Sequence, residues 1–258
     1  MKLGRIREHV AAHNWFAVGV DLCIVVLGVF LGMQVNNWNQ DRLDRQQGGV
    51  YYQRIAGDLD TDIIAWQTSM DYYTSVQSHA KAALAALKQP HADLGEQFLI
   101  DAYQATQIAP RPVARGAYDE AVSRGVFIYV GDVRLRDRIT NYYLLANGLG
   151  VIFDPITPYR ERMRRQMPYE ASAAVMAHCS DVFSTTEGGM VLIALPDACH
   201  TGLSAADISR AVAQVRAAPD LMLDLNRQIS DLEQKIASFH LILDTARTLR
   251  HDMGSAPR

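Results

Sequence analysis

Residues 50–87 read VYYQRIAGDLDTDIIAWQTSMDYYTSVQSHAKAALAAL. Apolar side chains stand at Ile55, Leu59, Ile63, Trp66, Met70, Tyr73, Ala80, Leu84 and Leu87, and from Leu59 onward they keep steps of four and three except across Gln77. That period lines up one face of an α-helix. Lys88-Gln89-Pro90 ends the pattern, because a proline ring removes a backbone donor and clashes with the preceding turn. The predicted helix is nearly 60 Å long.

The other end of the chain repeats the signal. Pro219 opens a series of Leu221, Leu225, Ile229, Leu232, Ile236, Phe239, Leu243, Ala246 and Leu249, again at helical spacing. Two long amphipathic helices at opposite ends of one region suit antiparallel neighbours in a bundle. Shorter helices are predicted between them over Asp93 to Gln107, Asp132 to Asn147 with Asp132 as N-cap, Pro155 to His178 with a kink at Pro168, and Ser204 to Ala217. Ser204 and Asp207 fit the S-x-x-[DE] start signal. The runs Gly125 to Val130 and Met190 to Leu195 are short and apolar, so each is read as a strand or a buried loop. The fold class is mainly α: a long-helix antiparallel bundle with at most a small β-hairpin.

Upstream, residues 16–35 read FAVGVDLCIVVLGVFLGMQV. As a helix they cover about 30 Å, the thickness of a bilayer's hydrocarbon. Trp15 and Trp38 flank the run, roughly 35 Å apart, and serve as interfacial anchors. A cleaved signal peptide fits less well, since the run continues into Gln34-Val35-Asn36-Asn37-Trp38-Asn39 with no small-x-small site. Lys2, Arg5 and Arg7 precede it, which favours an inside N-terminus. Asp21, Gly28 and Gly32 follow one another at intervals of seven and four, so they share a face suited to association with another membrane helix. The predicted organisation is a cytoplasmic leader over 1–15, a single transmembrane helix over 16–38, a linker over 39–49 with a hinge at Gly48-Gly49, a bundle over 50–251 and a flexible tail over 252–258.

The chain has 258 residues, 49% apolar and 21% charged, with a formal net charge of −3. A disulfide miniprotein, a collagen and a strongly basic nucleic-acid binder are excluded. Cys23 lies in the membrane run, leaving Cys179 and Cys199 as the pair in the soluble part. Three states are open to that pair: one disulfide in an oxidising compartment, two buried thiols, or a zinc set with His178 and His200. The disulfide places the soluble part in the periplasm.

Sites of chemistry are scarce. No phosphate-binding, nucleophile-elbow, zinc-protease or dinucleotide motif is present, and no cofactor or metal is assigned. Asp58, Asp60 and Asp62 resemble the start of a calcium loop, but Ile63 and Ser69 stand where its glycine and final glutamate belong. They are read as a solvated helix face. Arg160, Arg162, Arg164 and Arg165 form a positive cluster, read as an exposed helix face with anionic lipid or ligand contact as the alternative.

The segment Asn36 to Gln40, N-N-W-N-Q, closes the glycine-bearing apolar run, and Tyr118 to Gly125 reads Y-D-E-A-V-S-R-G, followed by Leu135-Arg136, Ile139 and Tyr142-Tyr143. In these motifs the chain resembles an uncharacterised family of bacterial single-pass membrane proteins, a domain of unknown function. Relatives end the run in Q-V-N-N-W-N-E, carry an acidic residue early in the membrane segment, as Asp21 does here, and continue with Y-D-E-L-K-S-S-G and L-R-x-x-I-x-x-Y-Y. Gln40 and Ala121 depart from that pattern, and Pro155 to Leu203 lies outside it. The resemblance implies a bacterial inner-membrane location and brings no activity or catalytic residue.

The reading is therefore a membrane-anchored, non-enzymatic interaction or scaffold module, an accessory subunit or ligand-sensing ectodomain. Its partners are the bilayer and either further copies or another membrane protein. The alternative is an envelope enzyme using Asp119 and Glu120 near Arg124, with the arginine cluster holding an anionic substrate. That alternative requires a shared pocket and raised carboxylate pKa values.

Overall fold

The computed structural model describes residues 15–89, 93–109, 113–152 and 156–255; the leader lies outside it, as do the side chains of residues 15–18, 21, 150–152 and 255. The first helix, α1 (Trp15–Leu87), runs without a break from the apolar segment into the soluble part. No proline interrupts those 73 residues, so every turn can close its hydrogen bond, and the rod is about 110 Å long. The expected hinge at Gly48-Gly49 is absent.

That continuity has a local cause. Two adjacent glycines cost a helix roughly 1 kcal/mol each against alanine, yet Gly48 is buried because another segment seats on it. A Cβ at Gly48 would lie 2.6 Å from both Cβ and the carbonyl oxygen of Tyr129. Only glycine permits that approach. Gly49 faces open space.

The rest of the chain gathers against the far two-thirds of α1. After α2 (Glu96–Gln104) and α3 (Gly116–Ser123), Gly125 takes a left-handed φ of 70° and turns the chain into a 3-10 helix, η1 (Val126–Tyr129). The Gly125–Val130 run is thus neither strand nor loop. Asp132 caps α4 (Val133–Ile152), accepting from the Leu135 amide at 2.8 Å. α5 (Pro158–Gln166) and α6 (Tyr169–His178) are separate helices with Pro168 between them, a full break in place of the expected kink. β1 (Val182–Thr185) pairs antiparallel with β2 (Val191–Ala194). The Met190 run therefore is a strand, and its partner is a segment with no strong signal in the sequence.

α7 (Ala205–Arg216) starts at Ser204, whose hydroxyl accepts from the Asp207 amide at 3.2 Å. α8 (Leu221–Ser255) then packs antiparallel along α1. The register is written in pairs whose numbers run in opposite directions: Tyr52 donates to the Met253 carbonyl, Arg250 pairs with Asp60 at 2.8 Å, Arg247 with Gln67 at 3.0 Å and Lys81 with Glu233 at 3.3 Å. These exposed pairs add little energy. The apolar seam holds the two helices: Ile55, Leu59, Trp66 and Val76 of α1 against Leu232, Phe239, Ile242 and Leu249 of α8, all buried. Phe239 lies 5.6 Å from Tyr73 and 5.9 Å from Trp66, centroid to centroid. Because Met253 is buried and α8 reaches Ser255, residues 252–255 belong to the bundle rather than to a tail.

Candidate functional site

The apolar segment stands apart from the bundle. Among the described residues one helix is long and apolar enough to cross a membrane, and none of its most apolar window is buried. A Cβ added at Gly28 or Gly32 would have nothing within 4 Å, and Trp38 is exposed. The side chains of Trp15 and Asp21 lie outside the described residues. Polar contacts with the bundle begin at Asp41, which accepts from the Tyr129 hydroxyl at 2.8 Å and pairs with Arg45 at 2.7 Å. Those two donors, the tyrosine first, hold the Asp41 carboxyl below its usual range. Asp41 and Gly48 together lock η1 to the helix where it leaves the apolar segment.

Deeper in the bundle, of the three aspartates read as a solvated face Asp60 is exposed, while Asp58 and Asp62 are built into the packing. Asp60 pairs with Arg250, while Asp58 accepts from the Ala117 amide at 3.1 Å. Asp62 is buried, accepting from the Tyr142 hydroxyl at 2.6 Å and the Ala114 amide at 2.8 Å; the Trp66 indole donates in turn to Tyr142 at 3.1 Å. The spacing of Asp58 and Asp62 hides this, because their partners sit some fifty to eighty residues away. Burial raises the Asp62 pKa to about 6, against the lowering effect of its two donors.

A raised folded-state pKa means the folded protein holds the proton more tightly than the unfolded chain. The associated stability is full below about pH 4 and is lost as pH rises through 6. Against Asp62→Asn, wild type should lose about 2 kcal/mol between pH 4 and pH 6.5. Urea unfolding of the detergent-solubilised protein over that range checks it; a constant difference between the two refutes the buried carboxylate.

The arginine cluster is largely consumed in packing. Arg160 donates to the Thr106 carbonyl, Arg162 pairs with Asp224, and Arg164 donates to Thr106 Oγ1 at 2.8 Å and to the Tyr103 hydroxyl. The Arg164 guanidinium also lies 3.9 Å over the Tyr103 ring centroid. Arg165 is exposed. Three of the four thus tie α5 to the end of α2 and to α8, contrary to an exposed face.

Asp119 and Glu120 lie on the surface of α3 in ion pairs: Asp119 with Arg115 at 2.7 Å, Glu120 with Arg54 at 2.7 Å and Arg124 at 3.0 Å. These hydrogen-bonded partners lower both carboxyl pKa values, the reverse of what an acid catalyst needs. Tyr118 of the same motif stacks on Tyr143 at 4.4 Å and meets Phe127 edge-on at 5.2 Å, so the motif packs η1 against α4.

Cys179 and Cys199 are joined in a disulfide with Cα atoms 5.4 Å apart. The bridge closes the base of the hairpin segment. On either side of it, Gln104 donates to the Cys179 carbonyl at 2.6 Å and Glu96 accepts from the Thr201 amide at 2.6 Å. No cluster of three or more potential metal ligands occurs among the described residues. Comparison of the chain with family models, with curated proteins and with solved structures returns no match.

Proposed function

We propose that this chain is a single-pass, membrane-anchored interaction module whose helical bundle is held at the bilayer surface and acts by contact with other proteins rather than by catalysis. The observation that carries the reading is the unbroken α1: its apolar, wholly unburied stretch and the central helix of the bundle are one element. Anchor and ectodomain are thereby mechanically one body. The carboxylates of the enzymatic alternative are tied up in exposed ion pairs, and three of the four arginines in packing. The bridged cysteines favour an oxidising compartment, which with the cationic leader supports a cytoplasmic N-terminus and a periplasmic bundle at a bacterial inner membrane. The resemblance in Asn36 to Gln40 and in the Tyr118 motif agrees with that location.

Alkaline carbonate extraction followed by protease treatment of spheroplasts tests the reading. The chain should stay with the membrane pellet, and external protease should degrade the bundle while sparing a leader epitope. Release into the supernatant overturns the anchor. Retention with protection of the bundle overturns the orientation.

A further inference from the structure

The outward face of α1 carries its own repeat. Leu22, Val29, Asn36, Leu43, Val50, Gly57 and Ile64 succeed one another at intervals of seven residues, and all are exposed. Beyond Trp38, the large apolar residues exposed on α1 are Leu43, Val50 and Ile64; all three belong to this series. Three residues after its members stand Val25, Gly32, Asn39, Gln46 and Gln53, also exposed. Two interleaved series of period seven form one narrow stripe along a helix. Gly48, which seats Tyr129, lies about 140–160° around the helix from Leu43 and Val50, so η1 covers the opposite side there, while farther along Arg250 of α8 reaches the edge of the stripe at Asp60.

From Leu22 to Gly57 the stripe is also free of charge where its surroundings are not. Asp41, Arg42, Asp44, Arg45 and Arg54 all lie off it, and its first charged residue is Asp60, held by Arg250. We propose that this stripe is the interface of a parallel, in-register, two-stranded coiled coil between two copies of this chain, from Leu22 to Ile64. The proposal rests on the anchored reading, because a shared membrane obliges two copies to run parallel at one depth. A two-fold contact then sets every residue against itself, which a charged residue opposes and Leu43, Val50 and Ile64 favour. Asn36 suits the same geometry, as do Asn39, Gln46 and Gln53: a carboxamide both donates and accepts, so two identical ones can bond each other across the two-fold. Gly28 and Gly32 let the backbones approach within the bilayer.

Cysteine crosslinking in native membranes tests this. In a Cys23→Ser background, with Cys179 and Cys199 bonded to each other, copper-phenanthroline should convert Leu43→Cys and Val50→Cys to disulfide dimers at least ten times faster than Arg45→Cys, which faces away from the stripe. Unmodified Cys23, half a turn from Gly32, should behave like Arg45→Cys. Equal rates, or monomer throughout, overturn the proposal. Adducts at positions 43 and 50 to a protein of different mass also overturn it, while leaving the anchored interaction module standing. As a second measure, Leu43→Glu/Val50→Glu should shift the full chain from dimer to monomer in mild-detergent sedimentation with unchanged helicity; a persisting dimer refutes the interface.

Discussion

Gly48→Ala should destabilise the bundle by about 2–3 kcal/mol, whereas Gly49→Ala, one residue along the same helix, should stabilise it by up to about 1 kcal/mol. The chemical change is identical, so the difference isolates the contact. At Gly48 the new methyl would sit 2.6 Å from backbone and Cβ atoms of Tyr129, which no rotamer change relieves. η1 must move, loosening the Tyr129 bond to Asp41 and the buried Val126. At Gly49 the methyl meets open space and only the helix-propensity gain remains. Denaturant unfolding of both variants checks the prediction. Stabilisation by both would mean that Tyr129 does not seat on Gly48 in solution.

Replacing both bridged cysteines, Cys179→Ser/Cys199→Ser, should cost about 3 kcal/mol, the loop-closure entropy returned to the unfolded chain when a loop of this length is opened. The segment freed contains the hairpin, where Val182, Phe183 and Val191 are exposed and bury little to hold it. Wild type in excess reductant should unfold at the same denaturant concentration as the double variant, and reductant should leave the double variant unmoved. A reductant-insensitive wild type would refute the bridge.

Element types are legible where sequence period is strong. The 3.6-residue patterns of Leu59 to Leu87 and Leu221 to Leu249 announce the two long helices and their antiparallel pairing, and Asp132 and Ser204 mark helix starts through their local capping chemistry. Junctions are not legible. Gly48-Gly49 reads as a break because propensity counts only the local chain, while the interaction that keeps the helix intact is contact with Tyr129, eighty residues on. Asp58 and Asp62 read as solvated for the same reason, since amides at Ala117 and Ala114 and the Tyr142 hydroxyl come from other elements. The Arg160 to Arg165 cluster announces positive charge but not its partners, which tertiary packing supplies. The repeat from Leu22 to Ile64 is present in the sequence, but seeing it requires knowing which face the bundle covers.

With the apolar stretch embedded as proposed, the unbroken α1 becomes a lever. About 50 residues, near 80 Å, extend beyond Val35 with no joint. A membrane helix answers a thinner bilayer by tilting further, at a cost of only fractions of a kcal/mol per ångström of mismatch. Each 5° of added tilt would sweep the distal end near Leu87 sideways by roughly 7 Å over that length. The thickness of the surrounding lipid would then set where the bundle's far surface is presented, without any signal passing through a hinge.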